Sequence, residues 1–490
     1  MKRFLITLFF AAALSLRAEK KPNIILVYVD DLAFGEIGAF GCSDIPTPNL
    51  DALAESGVKL MNYYTAAAAC CPSRCALLTG MYPQRYGKYA MNRGQTVPPD
   101  RPIIAKTLHD AGYMTCNVGT EKWDIGNRVQ GPLDMGFDEV AMSVPRSTNK
   151  IDRATGGGLN YVGVDGSYLT EIQGDAIVDF IQRNAGRDKP FFLYYTPLAV
   201  HCPLTDVLQK YLDRVPEDIE KRGGRRDGKP TPKNYRRYLA ATLISLDDQI
   251  GRMTDCVRKA GVESNTLIML ASDNGGNPYD GCRADPYRGG KHNEHVQWNG
   301  YLHLPAIVSW PGVLKAGTEY DGLAFSLDLY PTCAAVAGAP MPQPQDGKNL
   351  LPLLTGAEQP DPDRAFIWEL HPGARTTGDP GNKNLKTVRW KNWRIVSFEN
   401  GGWRLYDVEK DPSEQNDLAS AYPEVLKEMV ARFDVWRGQM AEPKQHKSRG
   451  PRIPYGFGMM TVDEWQNIKD QPDLWEQEAV RNQYLSEKGK

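Results

Sequence analysis

The chain has 490 residues, 41% hydrophobic and 24% charged, a composition that excludes a low-complexity polymer and leaves room for one large core with a small domain added. A formal net charge of −2 argues against a nucleic-acid binder. Nine cysteines are an odd number, so they cannot all pair within the chain.

Met1-Lys2-Arg3 is followed by an apolar run from Phe4 to Leu16, interrupted by Thr7 and Ser15, and then by Arg17-Ala18 and the charged Glu19-Lys20-Lys21. That order predicts an export signal over residues 1–18, cut after Ala18, and a periplasmic or secreted protein. The apolar core is too short to cross a bilayer and no later stretch approaches eighteen apolar residues, so the mature chain is expected not to span a membrane.

Asn23 to Val29 (NIILVYV) is a continuous apolar run, the pattern of a strand buried on both faces of a parallel sheet. Asp30 and Asp31 follow at once, where open α/β sheets bind their ligands. Two adjacent carboxylates either hold a hard divalent cation or cap a turn. Pro48 to Ser56 reads as a helix with Thr47 as N-cap and Gly57 as its stop, leading into the apolar Val58–Tyr64. Next comes Cys70-Cys71-Pro72-Ser73-Arg74-Cys75-Ala76-Leu77-Leu78-Thr79-Gly80, which reads as the start of a helix whose free N–H groups suit an oxyanion. The cysteine cluster would also suit a zinc site or disulfide partners, but no second half with zinc-type spacing accompanies it.

Three more apolar runs end in chemistry-bearing residues. Tyr113–Gly119, after a helical Ile103–Asp110, delivers Lys122-Trp123-Asp124-Ile125-Gly126; Phe191–Thr196, after a helix from about Thr170 to Asn184, delivers His201; Thr266–Ser272 delivers Asp273-Asn274-Gly275-Gly276. The last is preceded by a long amphipathic helix, about Tyr235 to Ala260, and followed by Arg288-Gly289-Gly290-Lys291. Residues 214–230 mix basic and acidic side chains, so a solvated loop competes there with a basic rim for a polyanion.

These separated motifs, in this order, resemble the type I, formylglycine-dependent sulfatases of the alkaline-phosphatase-like superfamily, whose signature is C-x-P-S-R followed by Leu-Thr-Gly. The resemblance covers roughly residues 21 to 440. Its register selects Cys70 as the residue oxidised to formylglycine (3-oxoalanine), leaving Cys71 as the variable position. It implies one calcium ion held by Asp30, Asp31, Asp273, Asn274 and the modified residue 70. Lys122 and Lys291 would bind sulfate, Arg74 would orient position 70, and His201 would bind sulfate and protonate the leaving oxygen. A geminal diol can attack sulfur with one hydroxyl and expel sulfate by collapse of the other, an exit that a thiol-bound sulfate lacks. Asp124 stands where the family has a histidine; a carboxylate also accepts a proton, so the base function is retained in altered form. Asn299 and His303 stand where the family commonly has glutamate and arginine, which predicts an altered loop or pocket wall.

The implied fold is α/β: a large, mostly parallel mixed sheet flanked by helices, with a small C-terminal antiparallel sheet plus helix. The expected division is a catalytic domain at 19–362, a C-terminal α+β subdomain at 363–441, where short β-like runs precede a helix from Pro423 to Trp436, and a motif-free tail at 442–490. The implied activity is sulfuric ester hydrolysis on a sulfated small molecule or glycan, with a formylglycine-generating enzyme as the maturation partner. Trp123, Arg283, His292, His295 and Trp298 are candidate pocket residues. A phosphate or phosphonate ester hydrolase of the same superfamily, or a non-catalytic glycan-binding relative, are the competing functions.

Overall fold

The computed structural model describes residues 20–67, 69–89, 97–98, 100–119, 132–142, 168–202, 204–223, 234–291, 298–370, 385–397, 402–443 and 459–461. The proposed export signal lies outside them, as do Lys122, Trp123, Asp124, His292 and His295.

The main sheet has nine strands: β1 (Asn23–Val29), β2 (Val58–Tyr64), β3 (Met114–Gly119), β4 (Glu139–Met142), β5 (Phe191–Thr196), β6 (Thr266–Ser272), β7 (Ala306–Ser309), β8 (Thr318–Phe325) and β13 (Met459–Thr461). They lie in the order β13-β4-β3-β5-β1-β6-β7-β2-β8. From β4 to β6 every pairing is parallel; β7 runs antiparallel to both β6 and β2, and β13 runs antiparallel to β4. β1 sits in the middle, paired over its length with β6, and every residue in it is buried.

Alternation along β1 divides the core in two, because successive side chains of a strand point to opposite faces. Ile25, Val27 and Val29 join a cluster with Leu243, Leu246 and Ile250, while Ile24, Leu26 and Tyr28 join one with Leu77, Leu108 and Tyr330. The first face is covered by helices α1 (Pro48–Glu55), α4 (Leu169–Asn184), the single turn α5 (Gln209–Leu212) and the long α6 (Tyr235–Lys259). The second is covered by α2 (Cys70–Thr79), α3 (Ile104–Asp110), α7 (Leu329–Ala337) and the turn α8 (Leu351–Leu354). Thr47 occupies the N-cap of α1, but its hydroxyl accepts from Gly38 N–H and donates to Asp51. The buried Asp247 of α6 accepts the Asn49 and Leu50 N–H groups instead, satisfying helix-end donors from across the core.

A second, antiparallel sheet takes the order β12-β11-β10-β9, from β9 (Ala365–Leu370), β10 (Leu385–Trp390), β11 (Trp393–Ser397) and β12 (Trp403–Asp407), with α9 (Pro423–Arg437) packed on it. Its core runs into the main sheet without a break: Phe366, Trp368, Val396 and Phe433 cluster with Tyr64, Tyr301 and Phe325. Trp368 Nε1 donates to Thr65 O at 2.7 Å, five residues before the cysteine motif. Within the tail read as motif-free, Met459–Thr461 forms the edge strand beside β4. None of the nine cysteines is in a disulfide.

Candidate active site

The apolar strands β1 and β6 run side by side and stop together, and each delivers its polar residues at that line. Asp30 and Asp31 leave β1 and Asp273 and Asn274 leave β6, all buried. Asp31 takes a left-handed backbone (φ 62°), which turns the chain sharply just past the strand. The turn brings its N–H to 3.2 Å from Asp273 Oδ1. Asn274 Nδ2 donates to Asp31 Oδ1 at 2.6 Å and to Gly275 O at 3.0 Å, which fixes the amide. Its Oδ1 is then buried with no hydrogen-bond partner among the described residues.

Two cations counter the three carboxylates. Arg74, on the first turns of α2 and fully buried, donates from Nε to Asp273 Oδ2 at 2.8 Å, with Nη2 at 2.8 Å from Asp273 and 3.2 Å from Asp30. Lys291 Nζ donates to both oxygens of Asp31, at 2.6 and 2.8 Å. Burial works against both positive charges, yet Asp273 and Asp30 hold the Arg74 guanidinium, and Asp31 and Cys70 the Lys291 ammonium, above their usual ranges. Burial first, and then the Asp30 charge, push the Asp273 carboxyl up to about 7, against the opposing charges of Arg74 and Lys291.

Cys70 is the first residue of α2, at 2% exposure, and lies within electrostatic reach of Arg74, Lys291 and Tyr301. Every side chain of that helix is buried, so the cysteine motif is fixed by packing on all sides, and Gly80 (φ 67°) ends it. His201 follows β5 and is partly exposed, with Nε2 3.7 Å from Asp31 Oδ2 and Nδ1 donating to Cys202 O at 2.5 Å. Asp30, Asp31 and His201 place their ligand atoms within 4.8 Å of one another.

The Sulfatase family model matches residues 22–339, most of the chain, over the segment that carries these strand ends. The chain belongs to the sulfatase family. A second model, that of the N-sulphoglucosamine sulphohydrolase C-terminal region, matches residues 290–439. This sulfatase is 32% identical to human N-acetylgalactosamine-6-sulfatase over 69% of its own length and 66% of that protein's, and 28% identical to human arylsulfatase A over 86% and 88%. Among solved structures it resembles Ps i-CgsB in complex with k-i-k-neocarrahexaose, at a TM-score of 0.74 and 27% identity, covering 92% of this chain and 98% of the other. As a sulfatase it is a sulfuric ester hydrolase.

The structure brings together Cys70, Arg74, Asp30, Asp31, Asp273, Asn274, His201 and Lys291, while Lys122 and Asp124 lie outside the described residues. Two expectations about the surroundings are corrected. Trp298 is buried, with the Arg288 guanidinium 3.5 Å from its ring centroid, so it is no open platform for a ligand. His303 lines no pocket: it is buried in a stack between Tyr64 and Tyr287, with ring centroids 4.6 and 4.0 Å away, and Nε2 donates to Met61 O at 2.7 Å. Arg283 is half-buried and committed to Asp285 at 2.7 Å. Sequence reasoning also passed over Tyr301, which adjoins the Lys291 and Cys70 charges; it follows Gly300 in a segment read only for its departures from the family.

Proposed function

We propose that this sulfatase is an exported enzyme that removes sulfate from a sulfated carbohydrate, using formylglycine at position 70 and one calcium ion. The observation that carries the proposal is the convergence of Cys70, three strand-end carboxylates and the Asn274 Oδ1 on one buried line. An all-oxygen donor set of three carboxylates and an amide oxygen unsatisfied among the described residues fits a hard divalent cation. Asp30, Asp31, Asp273 and Asn274 would hold it. When present, calcium would withdraw charge from a sulfate oxygen, and the hydrated aldehyde would offer a hydroxyl nucleophile in place of the thiol.

The chain's own residues do the rest. Arg74, pinned by Asp273 and Asp30, fixes the first turn of α2 and so the direction in which position 70 points. Lys291 brings a permanent positive charge toward the sulfate oxygens. Because His201 Nδ1 is taken by the Cys202 carbonyl, Nε2 is the nitrogen that faces the site, and it delivers a proton to the departing alcohol. Lys122 and Asp124, which follow β3 in the chain, are assigned the second sulfate-binding cation and the proton acceptor that restores the aldehyde.

A carbohydrate substrate is supported by the relatives, one named as an N-acetylgalactosamine-6-sulfatase and one solved with a neocarrahexaose. Among the described residues no helix is long and apolar enough to cross a membrane, which is compatible with export. The test is a side-by-side assay of defined sulfated saccharides, an aryl sulfate, an aryl phosphate and a phosphonate monoester. Sulfate release from a saccharide supports the proposal. Preferred phosphonate or phosphate cleavage transfers the site to the competing ester chemistry, and saccharide binding without turnover makes the protein a non-catalytic relative. Export is tested by the N-terminal sequence of the mature protein, expected to begin at Glu19.

A further inference from the structure

Lys291 lies on a segment that the main sheet alone holds at few points. Its own N–H donates to Gly276 O at 2.9 Å, and three residues earlier Arg288 O accepts Gly300 N–H at 2.8 Å. The Tyr287 ring stacks on His303 and the Lys291 ammonium meets Asp31, and a further grip comes from the small C-terminal sheet, through a turn that follows β12. Ser413 Oγ donates to Pro286 O at 3.1 Å, and Arg288 Nη1 to Glu414 O at 3.5 Å. Glu414 itself is 1% exposed and adopts a left-handed backbone (φ 54°) that a side chain beyond glycine takes up only at a cost. That backbone aims its carboxylate inward: Oε2 accepts the Asn299 N–H at 2.7 Å, and Oε1 accepts from the fully buried Arg394 of β11. Arg288, the first residue of the Arg-Gly-Gly-Lys motif, also stacks on Trp298, which meets Tyr406 of β12.

We infer that Glu414 is a positioning residue for sulfate ester hydrolysis: from the C-terminal subdomain it fixes Asn299 and the Arg288 turn, and through them the placement of Lys291 on the calcium-site carboxylates. The inference rests on the proposed role of Lys291. Both flanks of the lysine segment, 286–288 and 298–299, are tied to the two residues Ser413 and Glu414. Burial raises the Glu414 pKa and Arg394 opposes that rise, while its contact with Oε1 leaves Oε2 directed at Asn299. A buried ion pair that only held the sheet together would have no need of a strained residue presenting its second oxygen to another domain's backbone.

The test is a double-mutant cycle on the mature holoenzyme with 4-nitrophenyl sulfate as the probe substrate, combining Lys291→Ala with Glu414→Asp and with Glu414→Gln. Glu414→Asp keeps a charge beside Arg394, and so the fold, but draws the carboxylate one methylene back from Asn299. Each Glu414 variant is expected to lower kcat/KM on the order of ten-fold in the wild-type background and by less than about two-fold once Lys291 is alanine. The fall in melting temperature should be the same in both backgrounds. Equal losses of kcat/KM in both backgrounds, or a folded Glu414→Asp enzyme with full activity, would overturn the inference. An unaltered rate for Lys291→Ala alone would instead remove the lysine's proposed role, so the two failures are separable.

Discussion

Two buried charge clusters of this molecule are built on opposite terms. At the mouth of the main sheet, Asp30, Asp31 and Asp273 face Arg74 and Lys291, and the side-chain Oδ1 of Asn274 has no hydrogen-bond partner among the described residues. Between the two sheets, Glu414 meets Arg394 and its second oxygen takes the Asn299 backbone N–H. Both give up hydration of their charges, and a buried pair is weak evidence for stability in itself. The difference is in what they join: Glu414 ties the C-terminal sheet to the Asn299 backbone, whereas the mouth gathers carboxylates and an amide oxygen from two strand ends, a donor set that fits the proposed cation.

The sharpest way to break that contrast is at position 70. Cys70→Ala should lower turnover of a sulfate ester by roughly a thousand-fold or more while circular dichroism and the melting temperature stay near wild type. Retained activity would leave the mouth without its proposed nucleophile. Lys291→Ala should cost on the order of a hundred-fold in kcat, as removal of one oxyanion partner does, and is read from steady-state kinetics. Calcium separates the clusters directly. It should stabilise the protein by roughly 2–4 kcal/mol at concentrations well above its dissociation constant, as measured by chemical denaturation with and without chelator. That increment should be unchanged in Glu414→Asp, because Glu414 is not among the residues that would hold the ion.

The smallest effect concerns His303, held neutral in its aromatic stack because burial, above all, lowers its pKa to about 3. Between about pH 6.5 and 3 the unfolded histidine takes up a proton that the folded one refuses. The unfolded state then binds more protons, and stability present above pH 6.5 is lost as the pH falls. His303→Gln should lower stability at pH 7 by about 1 kcal/mol through loss of its bond to Met61. It should also remove roughly 1 kcal/mol per pH unit of the acid sensitivity seen in wild-type denaturation curves between pH 6 and 4.

How far the sequence was legible follows from burial. β1, β5 and β6 carry the boundaries that their apolar runs predict, because a strand covered on both faces is apolar almost throughout; β2, only partly buried, matches its expected bounds as well. The residues just beyond β1, β5 and β6 were therefore found as site candidates before any geometry was known. β4 and β7 were not anticipated, being four residues each, and neither was β8, whose Thr318–Phe325 alternates polar and partly exposed positions beside β2. Short or half-exposed strands give little periodic signal. Glu414 was equally silent: Asp411-Pro412-Ser413-Glu414 reads as a polar turn, and its left-handed backbone has no cue in a glutamate. The departures at Asn299 and His303 were visible as sequence, but only packing could tell that one accepts a brace through its backbone and the other lies in a core.

The central claim concerns the side chain at position 70, and the mass of the tryptic peptide ending at Arg74, taken from protein purified from its natural host, tests it most directly. An aldehyde at residue 70, trapped as a hydrazone by a carbonyl reagent, is expected in enzyme that hydrolyses sulfate esters. An unmodified thiol in protein of full sulfatase activity would contradict it.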